Sequence, residues 1–184
     1  ALGVLSGMWR SRAKPDVLPY NAVISACADA CRWHEALGIV ADICVRRMQP
    51  DVITYNAAIS ACEQGVQWRE ALGIFADMRL GRLELDVITY SAAMSSCEKG
   101  SQWHMALGVF SDMRSRRVET DLIALNAVIS ACEKGGEWCG ALGMVDEIRL
   151  RRFEPDMITY NSAISACEKG AQWHAAWARL LDMR

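Results

Sequence analysis

An all-α solenoid of antiparallel helix-pair repeats is the fold class this 184-residue sequence predicts. Three observations predict it. One stretch recurs at a strict period of 35 residues: Asp51 to Asn56 (Asp-Val-Ile-Thr-Tyr-Asn) returns at Asp86 to Ser91, Asp121 to Asn126 and Asp156 to Asn161. A second stretch, Ile59 to Cys62, returns in the same register at Met94, Ile129 and Ile164. Within each period the apolar residues follow helical spacing twice over. A fixed period of this length marks stacked supersecondary units, each burying its apolar face against its neighbours.

The elements follow in chain order. Residues 1–16 match the second half of a repeat, and four full repeats follow at 17–51, 52–86, 87–121 and 122–156. Residues 157–184 stop before a fifth is complete, so the sequence reads as a piece of a longer array without a transit pattern in this segment. The repeat 52–86 shows the pattern. Tyr55, Ala58, Ile59 and Cys62 give a first helix one apolar face, and Gly65 is the expected left-handed stop. Trp68 opens a second helix, continued by Ala71, Leu72, Phe75 and Met78, and Leu80, Gly81 and Arg82 end it. Pro15, Pro50 and Pro155 fall in the links, and Pro19 falls in a first turn, where its missing N–H costs nothing.

Residues recurring in register belong first to the repeat. Trp33, Trp68, Trp103, Trp138 and Trp173 all open second helices, which favours packing over a stacking platform. Gly3, Gly38, Gly73, Gly108 and Gly143 recur inside second helices, where each costs about 1 kcal/mol against alanine; close helix approach is the expected reason. Cys27, Cys62, Cys97, Cys132 and Cys167 lie one repeat apart, too far for disulfides, and read as buried thiols in a reducing compartment.

No enzyme is indicated. His34, His104 and His174 share one repeat position with Arg69 and Cys139, so they form no catalytic cluster. Cys27, Cys31 and His34 lack metal-site spacing, no phosphate loop follows a strand, and no apolar run is long enough to insert in a membrane. No cofactor and no small-molecule substrate are expected. Glu63, Glu98, Glu133 and Glu168 read as solvated helix ends. Hydrophobic content of 52% makes burial ample, while a formal net charge of −2 lacks the basic excess usual in nucleic-acid binders.

A 35-residue helix pair opening on Val-Ile-Thr-Tyr-Asn, with Glu-Ala-Leu in its second helix and Pro-Asp at its end, resembles the pentatricopeptide repeat family over essentially the whole chain. The resemblance implies a right-handed superhelix that binds single-stranded RNA in a mitochondrion or plastid, for RNA processing, stability or editing. It also implies one base per repeat, read by the fifth and last residues. Those pairs are Asn21 with Asp51, Asn56 with Asp86, Ser91 with Asp121, and Asn126 with Asp156; Asn161 has no partner within this sequence. The second residues, Leu18, Ile53, Ile88, Ile123 and Ile158, would sandwich the bases, and Lys99, Lys134 and Lys169 would touch phosphates. Asp29 and Gln64 stand where those lysines would be in the earlier repeats.

The chemistry of the pairs fits. An Asn amide donates and accepts, and a carboxylate only accepts, so Asn with Asp suits uracil, whose ring N–H donates. Ser leaves room for a purine, and Asp beside it suits guanine. The implied site is U-U-G-U-pyrimidine, 5′ to 3′ along the chain. An Asp before a helix also serves simply as a cap. A protein-interaction scaffold holding its partner on a concave solenoid face is the alternative function, and the acidic balance favours it.

Overall fold

The structure, a computed structural model, describes residues 17–172 and 174–176. The expected half-repeat at 1–16, with Gly3 and Pro15, and Trp173 lie outside the described residues, as does the end of the chain from 177. Nine helices are described: α1 Leu18–Asp29, α2 Trp33–Val45, α3 Val52–Gln64, α4 Trp68–Leu80, α5 Val87–Lys99, α6 Trp103–Ser115, α7 Leu122–Gly135, α8 Trp138–Leu150 and α9 Met157–Lys169. No strand occurs among the described residues. The chain divides into two compact units, 1–92 and 93–184, with the boundary inside α5.

Each unit is built in the same way. In the first, α1 packs on α2, its partner in the pair, and on α3, the first helix of the next repeat; α3 packs in turn on α4. In the second, α7 contacts α6, α8 and α9, and α8 contacts α9. Within each unit a repeat therefore buries one face within its pair and another against the next pair, as one-dimensional stacking requires. The core of repeat 52–86 is Ala58, Ile59, Ala61 and Cys62 from the first helix and Ala71, Ile74, Phe75 and Met78 from the second. Phe75 meets Tyr90 edge to face at 5.2 Å. The five in-register cysteines are buried and form no disulfide among the described residues. Burial alone pushes the Cys97 thiol up to about 12, and burial with the nearby Glu70 pushes Cys62 up to about 11. These thiols are protonated core atoms and not nucleophiles.

The turns depart from the expectation for glycine. Gly65 keeps a right-handed φ of −80°, and the left-handed residue is the next one, Val66, at +57°. The bonds are those of a Schellman ending: the Val66 N–H donates to the Glu63 carbonyl and the Gln67 N–H to the Cys62 carbonyl. Cys31, Ser101, Gly136 and Ala171 take the same conformation in register, and so do Arg47, Arg82, Arg117 and Arg152 after the second helices. Gly65 is needed for a different reason. A Cβ there would overlap Cδ1 of the Trp33 indole and lie 2.9 Å from its Cγ. Gly135 accommodates Trp103 and Gly170 accommodates Trp138 in the same way. The tryptophan of one repeat thus seats on the glycine that closes the first helix of the next.

The glycines inside the second helices also differ from expectation. A Cβ at Gly38, Gly73, Gly108 or Gly143 would meet nothing within 4 Å, so no helix approaches them closely. Nothing in the structure explains glycine at these positions.

Val66 is a β-branched residue in the left-handed region, a conformation that costs an L-residue roughly 1–2 kcal/mol. Its side chain is half exposed, so little burial is lost on removal. Val66→Gly is expected to stabilise the protein by about 1 kcal/mol in urea unfolding, after the larger unfolded-state entropy of glycine is subtracted. A lower midpoint would show that the Val66 side chain contributes more than its backbone strain removes.

Candidate nucleic-acid interface

The first turn of each first helix is set by the aspartate before it. Asp51 is the N-cap of α3: its Oδ1 accepts from the Thr54 N–H at 2.7 Å, and the Asp51 N–H donates back to Thr54 Oγ1 at 3.3 Å. This is a capping box with Thr in the third place. Asp86, Asp121 and Asp156 cap α5, α7 and α9 through Thr89, Ala124 and Thr159 N–H groups, each at 2.8 Å.

The same carboxylate holds the asparagine from the preceding repeat. Asn21 Nδ2 donates to Asp51 Oδ1 at 3.3 Å, and Asn21 Oδ1 accepts from Thr54 Oγ1 at 2.6 Å. The arrangement repeats with Asn56, Asp86 and Thr89, at 3.5 and 2.7 Å. It repeats again with Asn126, Asp156 and Thr159, at 3.3 and 2.7 Å. Capping and pairing are therefore not alternatives, because one oxygen of the carboxylate serves both. Thr54, Thr89 and Thr159 are fully buried. The threonine was legible in the sequence only as part of the repeated motif, and its contact with an asparagine 33 residues earlier needed the fold.

Burial pushes the Asp51, Asp86 and Asp156 carboxyls up, but hydrogen bonds from the threonine N–H and hydroxyl and from the asparagine amide outweigh it, and all three lie below the ordinary value. The sign follows for stability. These groups contribute above the unfolded carboxyl value of 3.8, and the contribution is lost as pH falls through the lower folded value. At neutral pH each presents an ionised acceptor. Oδ2 of Asp51 and of Asp86 takes no hydrogen bond within the described residues and remains available to a ligand.

Beside these polar groups lie apolar side chains turned to solvent. Leu18, Ile53, Ile88, Ile123 and Ile158 are between 61% and 71% exposed, and Val45, Leu80 and Leu150 form a second exposed aliphatic set at the ends of second helices. In the first unit they border a groove of about 490 Å³ lined by Ser25, Asp29, Ile53, Asn56, Asp86 and Ile88, which combines two isoleucines with the Asn–Asp pair.

The remaining sequence candidates are placed as follows. The Ser91 hydroxyl is buried and has no hydrogen-bond partner within the described residues. Asn161 lies exposed on α9. Lys134 pairs with Glu98 at 3.0 Å and Lys169 with Glu133 at 2.8 Å, each reaching back one repeat along the first helices. Ser165 also donates to Glu133 at 3.1 Å. Glu133 and Glu98 are thus partners of the lysine row and not merely solvated helix ends. Lys99 closes α5 at the same register. His34, Arg69, His104 and Cys139 are exposed beside the tryptophans; the His34 ring stacks on Trp33 at 3.3 Å, and Arg69 lies 4.4 Å over the Trp68 ring. Among the described residues no group of His, Cys, Asp or Glu could hold a metal ion, and no helix is long and apolar enough to cross a membrane.

Stacked helix pairs joined by a recurring Asn–Asp–Thr network define a helical-repeat protein. The chain belongs to the pentatricopeptide repeat family. The PPR repeat family model matches residues 15–64 and 50–99, the PPR repeat model 88–118, and the pentatricopeptide repeat domain model 108–169. Among solved structures, the chain is similar to the pentatricopeptide repeat protein PPR10 in complex with an 18-nt psaJ RNA element, at TM-score 0.74 and 24% identity over 91% of this chain and 24% of that one. It is similar to PPR10 from maize at TM-score 0.73 and 24% identity, over 99% of this chain and 26% of that one. It also resembles the PPR domain of Arabidopsis thaliana protein-only RNase P 1 in complex with tRNA, at TM-score 0.73 and 13% identity over 88% and 87% of the two chains. The chain spans about a quarter of the PPR10 chain. Comparison with curated protein sequences gave no match.

Proposed function

We propose that this array binds single-stranded RNA in a sequence-specific way, reading about one base at each join between repeats. The observation that carries this reading is the recurring Asn–Asp–Thr network flanked by exposed aliphatic side chains. An apolar side chain on either side of a base, with a donor and an acceptor facing its edge, is a sufficient binding site for a pyrimidine. Asn21 with Asp51, Asn56 with Asp86 and Asn126 with Asp156 read U; Ser91 with Asp121 reads G, and Asn161 reads a pyrimidine. Leu18, Ile53, Ile88, Ile123 and Ile158 sandwich the bases. Lys99, Lys134 and Lys169 meet phosphates, and Lys134 and Lys169 exchange their glutamate partners to do so. The family membership supports a role in RNA processing, stability or editing in a mitochondrion or plastid.

Selection from a random RNA pool tests this. U-U-G-U-pyrimidine should be enriched, and RNAs lacking it should bind at least tenfold more weakly, given one to three kcal/mol for each unsatisfied buried contact. A second reading, a scaffold for a protein partner, is favoured by the net charge of −2 and by the two lysines already neutralised by glutamates. A pool that yields no enriched sequence overturns RNA reading and leaves that one.

A further inference from the structure

We propose that the threonine in the third place of three repeats, Thr54, Thr89 and Thr159, is a positioning residue that fixes which way the preceding asparagine amide faces and so sets discrimination between U and C. The inference rests on the RNA reading above and extends it to a residue outside the reading pair.

The argument is one of donors and acceptors. An asparagine side chain has two orientations that differ by exchanging its oxygen and nitrogen. In the orientation present, Asn56 Oδ1 accepts from the Thr89 hydroxyl at 2.7 Å and Nδ2 donates to Asp86 Oδ1 at 3.5 Å. Exchange would set the amide oxygen against an ionised carboxylate, and Thr89 Oγ1 would have to accept from the amide nitrogen. The threonine hydroxyl carries a single proton. Two acceptors compete for it, Asn56 Oδ1 at 2.7 Å and Asp86 Oδ1 at 2.8 Å. Asp86 Oδ1 already accepts from the Thr89 N–H at 2.8 Å, so the amide oxygen is the acceptor with the greater need. Full burial of Thr89 removes water as a substitute donor.

An amide held in this way has one Nδ2 proton left for a ligand, beside the free Oδ2 of Asp86. A donor next to an acceptor matches uracil, whose ring N–H donates and whose carbonyl accepts. Cytosine offers an acceptor and an amine in the reverse order. Without the hydroxyl the amide oxygen loses its one partner among the described residues, and only the long 3.5 Å bond from Nδ2 to Asp86 Oδ1 still opposes a turn toward the cytosine amine.

The sequence carries an independent trace of the coupling. Of the four reading positions followed by a third residue, the three asparagines, Asn21, Asn56 and Asn126, are followed by Thr54, Thr89 and Thr159. The one serine, Ser91, is followed by Ala124. Among these four, threonine is absent only where there is no amide to orient.

Thr89→Ala tests the inference. Ala124 occupies the same position with its N–H still bonded to the cap at 2.8 Å, so alanine there is compatible with the helix. The readout is the ratio of affinities for two RNAs that differ only by U or C at the second base, in the full chain, with Thr89→Ser as the hydroxyl-restoring control. The ratio should fall about fivefold in Thr89→Ala, the worth of one net hydrogen bond, stay near wild type in Thr89→Ser, and be unchanged at the other bases. Thr159→Ala, scored at the fourth base, repeats the measurement should Thr89→Ala fail to fold. An unchanged ratio in a folded alanine variant overturns the inference alone, and so does an equal loss in alanine and serine variants. A wild-type protein indifferent to all four bases overturns the RNA reading and the inference with it.

Discussion

Asn56→Ser is expected to move the preference at the second base of the RNA from U to G and to leave the other bases as they were. Asn56 and Asp86 line one groove with Ile53 and Ile88, so the change acts on a single site. Serine lacks both terminal amide atoms of asparagine and opens room for the larger purine. Asp86 keeps its place because its cap bond to the Thr89 N–H does not involve Asn56. Its carboxylate then faces guanine's ring N–H and exocyclic amine, both donors. Uracil loses the Nδ2 donor, and guanine gains a fitting cavity. With about 1 kcal/mol for each net hydrogen bond, U should weaken and G strengthen by about fivefold each, a swing of roughly twenty-fivefold. Competition binding with four RNAs differing at that base measures it. Continued preference for U would place the base away from Asn56.

Gly65→Ala is expected to destabilise the protein by about 2 kcal/mol, the usual cost of forcing an extra methyl into a packed contact. The added Cβ would collide with Trp33 near the root of its ring, at Cδ1 and Cγ, so rotation of a flexible tip gives no relief. The greater helix-forming tendency of alanine offsets only part of this. Urea unfolding should show a lower midpoint at unchanged slope. The double variant Trp33→Ala with Gly65→Ala should lose less than the sum of the two single losses, because the collision is gone. Full additivity would sink the seating of Trp33 on Gly65.

Gly65 and Val66 also show where the sequence was transparent and where it was not. The helices were legible because their apolar spacing and the tryptophans opening each second helix repeat in register, and α2, α4, α6 and α8 all begin at that tryptophan. The turn after the first helix was placed correctly but assigned to the wrong residue. A left-handed valine costs roughly 1–2 kcal/mol, and tryptophan overlap costs more, so glycine sits where space is short and not where φ is positive. Gly38, Gly73, Gly108 and Gly143 misled in the other direction, because recurrence is a property of the repeat whether or not a neighbour demands it. The Asn and Asp positions were found through the family pattern; their hydrogen bonding through Thr54, Thr89 and Thr159 was not. The only available signal was the joint change of Ser91 and Ala124.

That network also bears on how such arrays are inherited and recombined. Asn21, Asp51 and Thr54 span 34 residues but straddle the repeat boundary, since Asp51 closes one repeat and Thr54 belongs to the next. A block exchanged from Val52 to Asp86 carries its own Asn56 and Asp86 but leaves Thr89 behind and brings Thr54 to a foreign asparagine. Exchange preserves each network intact only when the crossover falls inside a first helix, just ahead of its asparagine. Duplication of the 122–156 block behind an asparagine-bearing repeat would set Ala124 against that asparagine and leave its amide oxygen unanchored. On the proposed reading, the spelling of one letter is kept partly in the repeat that follows, and a gene that grows by unequal crossing-over can alter a letter without mutating it.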